Sequence, residues 1–95
     1  MSAQVQKGRY RSKRWFCRVP KTHFTHAEKR LEDDDYPMEF LPDKHERPLL
    51  PGDFMILKEL TKQNPNRYSG NVIPTEIIKS VASEGGGWAV LLRQV

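Results

Sequence analysis

A single cysteine, Cys17, among 95 residues rules out an internal disulfide and any cysteine-built zinc cluster. One thiol in a chain of this length agrees with a reducing compartment. No apolar run approaches the ~20 residues a membrane-spanning helix requires, and the N-terminus shows no apolar core of a secretory signal. These absences predict a cytoplasmic protein with no membrane partner. No HExxH motif accompanies His23 and His26, so no metal is assigned to them or to the nearby acidic run Asp33 to Asp35. The glycines of "EGGGW" precede a strand pattern and not a helix, which excludes a helix-backed phosphate loop.

What the chain has is charge, unevenly placed. Residues 1 to 21 hold seven basic side chains and no acid, leaving nine of the sixteen basic residues to face all twelve acids elsewhere. The net charge of +4 therefore belongs to the N-terminus, and the remainder is mildly acidic. Residues 1 to 12 are polar and show no apolar period, which predicts a flexible basic arm. Residues 13 to 95 are then one domain, long enough to bury a single core without staples.

Within that domain "RWFCRV" alternates, with Trp15, Cys17 and Val19 on one face and Phe16 and Arg18 on the other. Pro20 ends the strand. Thr25 and Glu28 have the spacing of a capping box, which predicts a short helix that starts at Thr25 and stops near Asp33. Phe24, Ala27 and Leu31 share one face of it. "PMEFLP" reads as a brief strand after the stop at Pro37, and "FMILKEL" as a central one with Ile56 in the core. "TKQNPNRYSGN" reads as a hairpin loop. "VIPTEIIKSV" contains Pro74, which predicts an edge strand or a bulge, and "WAVLLRQV" closes the chain as a strand. The expected class is α+β, mainly β. In the order β-α-β-β-β-β, it makes a small curled sheet or barrel with one packed helix.

These segments resemble a known group. "RPLLPGDFMILKE", with its Gly-Asp turn into a strand, and "RYSGNVIPTEIIKSV" followed by "GGGWAVLLRQV" are similar to ASCH-type domains of the PUA-like superfamily. The resemblance spans about residues 13 to 95 and implies a PUA-like barrel that binds RNA or modified nucleotides in a cleft beside its helix. The group's Gly-x-Lys-x-x-Glu-x-Arg motif survives here only at Glu39. Asp34, Tyr36 and Leu41 stand at its glycine, lysine and arginine. Some small ASCH proteins are amidohydrolases acting on modified cytidine, and that chemistry needs the lysine amine that Tyr36 replaces.

The reading is therefore a non-catalytic nucleic-acid-binding module without cofactor or metal. It favours RNA, or a single-stranded or modified nucleotide, over duplex DNA. Lys7, Arg9, Arg11, Lys13, Arg14 and Arg18 are the expected phosphate contacts, with Tyr10 as a stacking face. Glu39, Lys58 and Tyr68 are expected to frame a base-receiving cleft. Cys17 reads as a small core hydrophobe. Two other classes stay open: an ASCH-type nucleoside amidohydrolase, and a small adaptor or inhibitor that meets a protein through its helix and acidic run.

Overall fold

Alternating side chains at 14 to 19 do form a strand, β1 (Arg14–Val19), with Trp15 and Val19 buried and Phe16 turned outward. The computed structural model describes residues 12–41, 47–64 and 67–95. Helix α1 (Lys21–Leu31) follows at once, then β2 (Tyr36–Phe40), β3 (Phe54–Leu60), β4 (Tyr68–Ala82) and β5 (Trp88–Gln94). The five strands make one sheet in the order β1-β3-β4-β5-β2. Only β1 and β3 run parallel, because α1 and β2 lie between them in the chain; the remaining pairs are antiparallel. The sheet curls into a half-barrel, and α1 lays Phe24, Ala27 and Leu31 into its hollow. Met55, Leu57, Ile77 and Leu92 meet them there with almost no solvent exposure. Among the described residues no helix is long and apolar enough to cross a membrane.

Burial overrides the capping box. The helix begins four residues early, at Lys21, with Pro20 as its N-cap and the Phe24 amide donating to the Pro20 carbonyl. A start at Thr25 would leave Phe24 outside the helix, off the face it shares with Ala27 and Leu31. Thr25 Oγ1 instead donates back to the Lys21 carbonyl at 3.0 Å. The helix ends at Leu31, with Lys29 and Arg30 in the last turn, where cations suit the negative end of the dipole. Pro37 lies inside β2, and β2 is an edge strand, where a missing donor costs least.

Pro74 sits in the middle strand of the sheet, not at an edge. Its carbonyl accepts from the Val95 amide, so its main-chain polar groups point toward the side where β5 runs out. The absent N–H thus falls beyond the ladder, and the strand's irregularity comes later, between Ile77 and Lys79. Ile56 is also placed differently from expectation. It points outward and is half-buried, while its neighbours Met55 and Leu57 fill the core. Tyr68 to Asn71 belong to β4 and not to the loop, because Gly70 takes φ of 100° and wraps the strand around Glu59.

Candidate nucleic-acid interface

The turn that introduces β3 is built on Asp53. Its amide donates to the Leu50 carbonyl at 3.0 Å, with Pro51 first and Gly52 second at φ 95°, the geometry of a type II turn. The buried Asp53 carboxylate then accepts from the Lys13 amide, Trp15 Nε1, the Leu50 amide and Arg47 Nη2, at 2.8 to 3.1 Å. Burial pushes this carboxyl up, and the donors of Arg47, Lys13, Trp15 and Leu50 more than reverse it, leaving it below its ordinary value of 3.8. The turn and the start of β1 are locked together.

This anchoring sets the seam of the half-barrel. Strands β1 and β2 are the two edges of the sheet, and the curl brings them face to face without shared backbone hydrogen bonds. Side chains close the gap instead, with the rings of Trp15 and Phe40 edge to face at 6.0 Å. Along the same seam opens a cleft of about 360 Å³. Strand β1 gives it Cys17 and Arg18, α1 gives it His23, and β2 gives it Tyr36, Met38 and Glu39. Burial pushes the Cys17 thiol up, which favours its protonated form. Apolar walls with one carboxylate and one guanidinium suit a flat ring that carries N–H donors and a nearby phosphate.

The expected site residues fall into two places. Arg18 and Glu39 both line the cleft, whereas Lys58 and Tyr68 lie on the outer face of the sheet, away from the helix. Glu39, Lys58 and Tyr68 thus do not form the single cleft expected from the sequence, because β3 alternates and sends Lys58 out when Leu57 points in. On that outer face the Lys58 ammonium stands 4.2 Å from the Tyr68 ring centre and 5.6 Å from that of Phe16. Arg14 and Arg18 flank Phe16 on β1, and neither has an ion-pair partner among the described residues. Lys13 is engaged at the start of β1, its ammonium 4.0 Å from the Trp15 ring centre. Lys7, Arg9, Tyr10 and Arg11 lie outside the described residues.

Glu59, which the sequence offers with Lys58 as either a cleft-lining residue or a surface end to the strand, is neither. It is buried and accepts from Ser69 Oγ at 2.6 Å and Asn71 Nδ2 at 3.0 Å. Those two donors hold its carboxyl below the ordinary 4.5, burial opposes them, and the Lys21 charge adds to the lowering. The alternation places Phe16 on the face opposite Trp15, but the sequence reading takes Tyr10 and not Phe16 as the stacking ring; Phe16 is 59% exposed. His23 lines the cleft while His26 packs against Tyr36 at 6.1 Å, so the two histidines point to different neighbours. Among the described residues no three His, Cys, Asp or Glu side chains gather as a metal site would require. No family model matches the chain, and no curated protein is detectably similar to it.

Proposed function

We propose that this protein is a non-catalytic module for single-stranded RNA, or for another strand with unpaired or modified bases. One base enters the seam cleft. The observation that carries the reading is the presence of Arg18 and Glu39 in one cleft between apolar walls, at the open edge of a basic strand. A carboxylate accepts from the exocyclic amino or ring imino group of a base, and a guanidinium holds the adjoining phosphate. Membership of the ASCH-type, PUA-like group is part of this proposal and rests on the sequence resemblance, with which the curled mixed sheet and its one helix are compatible. So is a cytoplasmic setting, on the strength of the single cysteine.

The non-catalytic part rests on Tyr36. It lines the cleft where the amidohydrolase lysine is expected, and among the described residues no lysine lines the cleft beside it. Hydrolysis of acylated cytidine at background rate is the expected result. Turnover that disappears in Glu39→Gln would show instead that another group supplies the base. Binding is tested by calorimetry with cytidine 5′-monophosphate and adenosine 5′-monophosphate. Glu39→Gln and Arg18→Ala should each weaken the preferred nucleotide by about tenfold, in keeping with the loss of one oriented base or phosphate contact. Unchanged affinity in both variants would remove the cleft from the reading.

A further inference from the structure

The outer face of the half-barrel carries a pattern that the cleft does not use. Side chains of β1, β3 and β4 that point away from the helix fall into cross-strand rows fixed by the register. Phe16 lies beside Ile56 and Pro74, and Arg18 lies beside Lys58 and Val72. Phe16 is 59% exposed, Val72 50% and Tyr68 45%, so the face is both apolar and open to solvent. Packing does not account for it, since α1 occupies the opposite face. Two aromatic rings converge on the Lys58 ammonium, and the guanidinium-bearing Arg14 and Arg18 flank one of them.

We infer that this face is a stacking track for unpaired polynucleotide. Successive bases lie on Phe16 and Tyr68, and Arg14, Arg18 and Lys58 hold the phosphates between them. Charge complementarity selects a polyanion over a neutral or basic protein segment. Exposed rings beside cations select one whose bases are free to stack, which a duplex does not offer. Arg18 ties the track to the seam, because it lines the cleft and also stands in the Lys58 row. A strand with one base in the cleft therefore continues onto the outer face. The inference rests on the reading of the protein as a nucleic-acid module, but Phe16, Lys58 and Tyr68 belong to the track alone and only Arg18 is shared with the cleft.

The full chain is titrated by fluorescence anisotropy with labelled twelve-nucleotide poly(U) RNA, poly(T) DNA and a duplex of equal length. Phe16→Ala and Tyr68→Ala should each weaken the single strands by about tenfold, leave the duplex unaffected and leave mononucleotide affinity for the cleft intact. Phe16→Leu and Tyr68→Leu repeat the test with apolar size preserved, so a loss shared by both sets belongs to the aromatic face and not to folding. Lys58→Gln should make the slope of log affinity against log salt shallower by about 0.7. Tighter binding of RNA than DNA would add a sugar contact to the track, and equal binding would assign it to bases and phosphates alone. Folded ring variants that bind poly(U) like the parent overturn the inference, and if Glu39→Gln still loses its mononucleotide the cleft reading stands without it. Loss of poly(U) in the ring variants with no effect of Glu39→Gln leaves the track and removes the cleft. A parent dimer that the ring variants dissociate, with oligonucleotide binding unchanged, shows the face to be a self-association surface and overturns the track.

Discussion

Among the described residues Asp53 and Glu59 are the two buried carboxylates, one just before β3 and one within it. Asp53 ties the turn before β3 to β1, through Trp15 Nε1 and the Lys13 amide. Its removal in Asp53→Ala strands a buried indole N–H and two main-chain amides, at about 3–5 kcal/mol in total. Thermal unfolding should show a large fall in Tm, with the Asn variant intermediate because it still accepts. A Tm unchanged in Asp53→Ala would mean that the turn is held by Pro51 and Gly52 alone. Both carboxyls have folded values below 3.8 and 4.5, their ordinary ones, so their charged forms are favoured by folding. The stability they lend is complete above those ordinary values and is lost as pH falls through the lower, folded ones. Acid unfolding should therefore set in below about pH 4 and be less steep in Asp53→Asn. A parent Tm independent of pH between 5 and 2 would contradict this.

At the scale of elements, periodicity was legible where polar residues marked one face. "RWFCRV" fixes the direction of β1, since two arginines alternate with Trp15, Cys17 and Val19. "FMILKEL" offers no such mark, because its first four residues are all apolar. Its two charges mislead, since Lys58 faces outward and Glu59 is buried under Ser69 and Asn71. The helix start was hidden for a related reason: a local capping signal at Thr25 competes with the tertiary burial of Phe24, and burial wins. Pro74 was readable as a constraint on hydrogen bonding but not as a place in the sheet, which depends on where β5 ends. Of the candidate site the residue types were legible but not their grouping: Glu39 lines the cleft together with Arg18, while Lys58 and Tyr68 needed the register of β3 to be placed. The register makes its own prediction. Leu57→Asp buries an unpaired carboxylate in the core and should unfold the domain, whereas Ile56→Asp on the half-buried outer face should leave it folded with a modest loss of Tm. The reverse order in circular dichroism melts would mean that β3 is turned over.

For the whole molecule the deciding feature is where the charge lies. Seven basic residues precede residue 22, and β1, which carries the last of that series but for Lys21, forms one border of both the cleft and the outer face. On the proposed reading, a polyanion drawn to the N-terminal charge is delivered to the strand that carries Arg14, Phe16 and Arg18. On that reading Lys7, Arg9 and Arg11, which lie outside the described residues, add contacts to the same ligand. Among the described residues the tie between this end of the chain and the sheet begins with the Lys13 amide on Asp53. Each phosphate neutralised on a single strand contributes about −0.7 to the slope of log affinity against log salt. Deleting residues 1 to 12 removes three cations and should make that slope shallower by about 2, with poly(U) affinity lowered most at low salt. The Tm should barely move, because Trp15, Asp53 and the β1–β3 ladder are all retained. Equal slopes for the full and shortened chains would show that residues 1 to 12 only add solubility. A shortened chain that fails to fold would show instead that the basic stretch is structural from its beginning, and that the division near Lys13 is misplaced.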